Sequence, residues 1–196
     1  MLTNNQFKQK QSNFKKWARN DARYYVFKYT EAKKQLEPVG EYVIRLLNSY
    51  NKKRLITQFN YSQEQADRIS EHYNTEFWRG YEYWQNKKQQ LDAKLAKFTP
   101  IFQQAEQYAE KIDVSDIHDG FPCGEVILYA EPNSELANLL KNYADSNTST
   151  PAFKYKLPIK LPSYGQCIEF DRRICNKVKE FLANKGITAL THSWID

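Results

Sequence analysis

Asp113, Asp116, His118 and Asp119 stand close together in the chain, and carboxylates clustered beside an imidazole are a donor set for a divalent metal. The spacing argues against that chemistry. An EF-hand loop places oxygen donors at every second position and closes with a glutamate at the twelfth, whereas these aspartates fall about three apart and none has a glutamate at that closing position. A metal-dependent nuclease of the restriction type needs an Asp followed by Glu-x-Lys on the next strand. Asp119 and Glu125 come in that order, but Ile127 occupies the lysine position. The stretch therefore reads as an acidic loop that closes a helix.

Cys123 lies five residues beyond His118, which invites a thiol nucleophile with a neighbouring base. Pro122 intervenes, and nothing in the spacing brings the two together. Cys123, Cys167 and Cys175 lack the paired spacing of a disulfide framework or a zinc knuckle, so they read as reduced, buried fillers. His72, His118 and His192 are isolated, which removes the His-x-His of a nickase and the His-Glu-x-x-His of a zinc protease. Glycine-rich phosphate loops are absent as well. No catalytic residue, metal or cofactor is assigned, and a non-enzymatic protein is expected.

Cations interleaved with aromatic rings remain. The net charge of +6 is unevenly placed: residues 1–62 carry 13 Lys/Arg against 4 Asp/Glu, while residues 63–120 carry 7 against 11. Such asymmetry suits an anionic partner or mutual docking of the two pieces. Lys8, Lys15, Lys16, Arg19 and Arg23 lie near Trp17, Tyr24 and Phe27, a combination that can neutralise phosphates and stack on exposed bases. Lys52, Lys53 and Arg54 extend this nucleic-acid-binding set, and Lys154, Lys156 and Lys160 offer a further cationic face. A second surface, Trp78, Tyr81, Tyr83 and Trp84, places the Trp78 and Tyr83 rings off the packing stripe and reads as protein-binding, because exposed aromatics anchor interfaces. The expected partner is nucleic acid or a nucleoprotein complex. The alternative is a protein partner, met by an inhibitor or adaptor through the aromatic patch without direct nucleic-acid contact. Abundant Lys, Asn, Gln and Tyr accord with an AT-rich genome and a phage or mobile-element accessory factor.

These side chains must be positioned by long elements. Phe77, Trp84, Leu91, Phe98, Ala105 and Ile112 recur every seven residues, a heptad seam within the run from Ser62 to about Ile112. Ser62-Gln63-Glu64-Gln65 has the form of a capping box at its start. The seam keeps phase across Pro100, so one long, kinked, coiled-coil-like helix is expected, with a homodimer through it as one way to cover its seam. The apolar stripe Phe7, Phe14, Ala18, Ala22, Tyr25, Tyr29, Ala32 and Leu36 predicts a first helix to about Leu36, packed antiparallel along the long one. A shorter helix over Glu41–Tyr50 follows it.

After the acidic loop the texture turns mixed. Gly124–Ala130 reads as a buried strand, Ser134 as a helix cap, Phe153–Leu161 as an edge strand, Phe170–Asn184 as a helix closed by Gly186, and Ile187–Ile195 as a last strand. The expected fold class is α+β: residues 1–115 form a helical module and residues 116–196 a small β-α-β-α-β module. No apolar run is long enough to span a membrane, and Met1–Lys10 lack the apolar core of a secretion signal. A cytoplasmic location is the expectation.

Overall fold

Helix α1 (Asn4–Lys28) stops well before Leu36, and the reason is local. Tyr24, Tyr25, Val26, Phe27, Tyr29 and Thr30 form a run of poor helix formers, and Thr30 then caps a separate short helix, α2 (Glu31–Leu36), by accepting the Lys33 N–H. α2 buries nothing, so Ala32 and Leu36 of the expected stripe face solvent while Phe7, Phe14, Ala18, Ala22 and Tyr25 are buried. The computed structural model describes residues 4–49, 52–117, 124–144, 149–162 and 168–195. Over these the chain is mostly helical, with a small antiparallel sheet, an α+β arrangement. It divides into two compact units, Met1–Gln90 and Leu91–Asp196, earlier in the chain than the division expected at 115/116. Phe102, Ala105 and Ala109, which the expectation left with the N-terminal module, belong to the core of the C-terminal unit.

In the N-terminal unit α3 (Val39–Ser49) and α4 (Lys52–Phe59) follow α2, and the long helix α5 (Gln63–Leu95) begins after them. Asn60, with φ 55°, ends α4 in the left-handed region that asparagine tolerates. The capping box at the start of α5 is reciprocal: the Gln65 N–H donates to Ser62 Oγ at 3.2 Å and the Ser62 N–H donates to Gln65 Oε1 at 3.0 Å.

The expected antiparallel packing of α1 on α5 is corrected by the contacts. Lys15 and Arg19 reach Glu76, Arg19 and Ala22 lie against Gly80, and Phe27 meets Trp84. Positions rise together on both helices, so α1 and α5 run in the same direction. Parallel neighbours need a return path of comparable length. α1 alone spans about 37 Å, and α3 and α4 supply that return. Sequence alone suggests an exposed basic corner at Lys52–Arg54 before Leu55–Phe59, with no helix there to carry the chain back; the structure has α4 over that stretch. Close approach of the two axes rests on Ala18, Ala22 and Ala66, all fully buried, and on Gly80, where an added Cβ would stand 3.2 Å from the Arg19 Cα and 3.3 Å from the Ala22 Cβ.

A hydrogen-bonded cluster ties the end of α1 and α3 to Glu37, in the turn between α2 and α3. Tyr29 donates to Glu37 Oε2 at 2.6 Å, Tyr25 donates to the Glu37 carbonyl at 3.0 Å, and the Arg45 fork donates to both Glu37 carboxylate oxygens. The Arg45 hydrogen bond, assisted by that of Tyr29, holds the Glu37 carboxyl below its ordinary range.

In the C-terminal unit the single kinked helix expected across Pro100 is divided: residues 96–98 form turns, and α6 (Thr99–Ala109) starts with Pro100 in its first turn. Proline has no N–H to donate and its ring crowds the carbonyl four residues earlier, so the helical ladder is interrupted there. β1 (Gly124–Ala130) pairs antiparallel with β2 (Ala189–Ile195), Gly124 opposite Ile195 and Ala130 opposite Ala189. Between them lie α7 (Glu135–Leu140), capped by Ser134, then α8 (Pro151–Lys154), and α9 (Ile168–Asn184). Gly186 at φ 77° turns the chain out of α9 as expected.

The edge strand expected over Phe153–Leu161 is corrected. Thr150-Pro151 starts a helical turn through Lys154, and only Lys156 forms a bridge, opposite Tyr129. Pro158 cannot donate to a ladder, so the pairing does not extend. The β-α-β-α-β pattern thus lacks its middle strand among the described residues. No described helix is long and apolar enough to cross a membrane.

Candidate nucleic-acid interface

Glu76 sits at the centre of a cluster of cations in the N-terminal unit. It is only 2% exposed, yet three cations surround it. Arg19 Nη2 lies 2.8 Å from Oε2 and Nε donates to the same oxygen at 2.9 Å; Arg79 Nη1 lies 3.1 Å and Lys15 Nζ 3.7 Å from Oε1. Burial pushes the Glu76 carboxyl up, but the hydrogen bonds and charges of Arg19, Lys15 and Arg79 outweigh it, and the net shift is below the ordinary range. The carboxylate is therefore ionised at neutral pH, and it holds the three cations in a fixed fan.

Around this fan α1 and α5 form a groove of about 660 Å³ lined by Lys8, Arg68, Glu71, His72, Glu76 and Arg79. Arg68 pairs with Glu64 one turn earlier at 3.7 Å. Arg23 continues the flank, its guanidinium over the Phe27 and Trp84 rings at 5.6 and 5.7 Å. Of the residues picked from sequence, Lys8, Lys15, Arg19 and Arg23 share this flank. Lys16 is exposed on the far side of α1. Arg54 belongs to α4, where it donates to Gln58 and to the Ser49 carbonyl. The side chains of Lys52 and Lys53 lie outside the described residues. Sequence reasoning missed Arg68 and Arg79, because the long helix is acidic on average. Their one signal was spacing, eleven positions apart on one helical face.

The cationic strand face expected from Lys154, Lys156 and Lys160 does not form. Lys154 lies in α8 over the Tyr155 ring, Lys156 pairs with Glu125 at 3.8 Å, and the Lys160 backbone N–H donates to Glu106 at 2.7 Å.

The four rings chosen as a protein-binding patch divide by burial. Tyr81 and Trp84 pack against the core of the N-terminal unit, Tyr81 stacked on Phe77 and Trp84 edge-on to Phe27. Trp78 and Tyr83 are 37% and 56% exposed. In the acidic loop, Asp116 forms a two-pronged pair with Arg173, and Asp113 Oδ1 accepts the Ser115 N–H at 2.9 Å. An arginine thus holds the carboxylate that a metal would need. His118, Asp119 and Cys123 lie outside the described residues. Cys175 is buried, its thiol pushed up to about 12 by burial and by nearby Asp171.

Comparison with protein-family models, with curated proteins and with solved structures finds no match.

Proposed function

We propose that this chain is a non-enzymatic binding protein that docks the α1/α5 groove of its N-terminal unit on nucleic acid or a nucleoprotein complex. The observation supporting this reading is the fan around Glu76. One carboxylate shared by Lys15, Arg19 and Arg79 leaves two positive charges in excess, and with Lys8 and Arg68 set against Glu71 and Glu64 beside them the excess stays at two. A cluster serving only internal neutrality needs one cation per carboxylate. Oriented, partly exposed excess cations are what a run of phosphates requires. Lys15, Arg19 and Arg79 act as ordered donors, and Lys8 and Arg68 add charge along the groove. A cytoplasmic accessory factor of phage or mobile-element type fits this role.

Fluorescence anisotropy with short single-stranded and duplex oligonucleotides across a salt series tests the reading. Affinity should fall steeply with salt, and the double variant Lys8→Gln, Arg68→Gln should flatten the log–log slope by roughly 1.4 to 1.8, at about 0.7 to 0.9 for each phosphate no longer neutralised. Binding indifferent to salt, or a slope unchanged in the variant, refutes it. Absence of any strand binding favours the second reading, a protein partner or a second copy of the chain held by Trp78 and Tyr83. The exposure of these two rings beside the packed Tyr81 and Trp84 supports that alternative.

A further inference from the structure

On the opposite flank of α1, Trp17, Asn20 and Asp21 face Arg54, Leu55 and Phe59 of α4 across a pocket of about 470 Å³. That volume falls within the usual span of small-ligand pockets, about 300–1,000 Å³. Resting on the nucleic-acid reading above, we infer that this pocket takes one unpaired purine base of a single strand, guanine by preference, flanked by the Trp17 and Phe59 rings and read by Asp21.

Three features support the assignment. First, large rings line the pocket while remaining 46% and 45% exposed at Trp17 and Phe59, and both are held in place. Phe14 lies edge-on to Trp17 at 5.0 Å, and Tyr61 stacks on Phe59 at 6.3 Å. Rings already ordered lose little freedom when a base stacks on them. Second, Asp21 is a carboxylate set among rings, with Oδ2 accepting the Tyr73 hydroxyl at 2.5 Å. The Tyr73 hydroxyl fixes the carboxylate plane, and each carboxylate oxygen keeps acceptor capacity for a ligand. A carboxylate only accepts hydrogen bonds, so it selects a base edge rich in donors. Guanine presents N1–H and the N2 amino group side by side, whereas adenine offers only its N6 amino group and thymine only N3–H. The Asn20 amide can donate to the neighbouring O6. Third, Arg54 stands at the pocket and Lys10 Nζ lies about 6 Å over the Phe59 and Tyr61 rings. These cations match a phosphate-bearing ligand and oppose a cationic one, which would otherwise suit a carboxylate among aromatic rings.

The test uses the full chain and short thymidine strands carrying one central guanine, hypoxanthine, adenine or thymine. A single guanine should tighten binding about tenfold over thymine, the discrimination of one good paired contact. Hypoxanthine, which lacks the N2 amino group, should fall between them. Asp21→Asn should erase the guanine preference while binding to the all-thymidine strand stays salt-dependent and no weaker than wild type, because the change removes a negative charge. The wild-type base series decides the matter even if that variant folds poorly. Salt-dependent binding with no preference among the four bases overturns this inference and leaves the proposed function standing. Failure of every strand to bind overturns both. A guanine preference that survives Asp21→Asn assigns the reading to another residue and overturns the role given to Asp21.

Discussion

Glu76→Gln is the most searching perturbation of the N-terminal unit. The substitution keeps the shape and one acceptor for Arg19 but removes the charge shared by Lys15, Arg19 and Arg79. Breaking a fully buried pair costs about 3–5 kcal/mol, because the partner is stranded. Here the carboxylate is buried but the cations are about half exposed or more, so they rehydrate, and the loss should be nearer 1–3 kcal/mol. Against a typical total of about 5–15 kcal/mol, that is readable as a lower midpoint in urea with unchanged slope.

The pH dependence has a definite sign. The folded Glu76 pKa lies below its ordinary value of 4.5, so its stabilisation is complete above that value and is lost as the pH falls through and below it. Glu76→Gln should therefore flatten the acid limb of the stability profile. It also adds one net positive charge to the groove, which should tighten strand binding and steepen its salt slope by about 0.7 to 0.9. The clearest assay combines urea unfolding from pH 3 to 7 with the salt series on one oligonucleotide. A variant equal to wild type within about 0.5 kcal/mol, with the same acid limb, would show that the fan is solvated charge and not a fixed structure.

Two further outcomes concern Gly124 and Cys175 of the C-terminal unit, the first with a control in the N-terminal unit. An alanine Cβ at Gly124 would stand 2.3 Å from the Trp194 carbonyl oxygen and 2.9 Å from Ile168 Cδ1, so Gly124→Ala should destabilise by about 1–3 kcal/mol. Gly40→Ala is the control: nothing lies within 4 Å, and it should stabilise α3 by about 0.5–1 kcal/mol. Equal thermal midpoints for the two variants would contradict the close approach at Gly124. The Cys175 thiol, pushed up to about 12, should resist alkylation at pH 8 in the folded chain and react once urea unfolds it, followed by peptide mass mapping. Rapid modification of Cys175 without denaturant would contradict its burial.

Local patterns in the sequence were enough to place several parts of the fold. The heptad positions Phe77, Leu91 and Ala105 are buried, the Ser62–Gln65 box caps reciprocally, Ser134 caps α7, and Gly186 ends α9 at positive φ. Each depends on residues within one or two turns of each other, so spacing and side-chain chemistry suffice. The division of the first helix at Tyr29-Thr30 was also local, but its Thr30 cap was hidden by an apolar stripe that continued in phase through Leu36.

Direction and partnership were decided only in three dimensions. An apolar stripe says that α1 needs a neighbour, not which way that neighbour runs, and the parallel arrangement depends on the return path through α3 and α4. The cations behave the same way. Lys15 and Arg19 could be picked from α1, but Arg68, Arg79 and the carboxylate organising them come from an element some fifty to sixty residues later. The acidic stretch at Asp113–Asp119 shows the converse. Its composition raised the question of a metal, and Asp116 instead meets Arg173 from α9. By itself the sequence determined an α+β chain with a basic first helix and a long seam, because periodicity and caps act over a few residues. The tertiary structure decided which charges meet, because a buried carboxylate takes its partners from whatever helix the fold brings within about 4 Å.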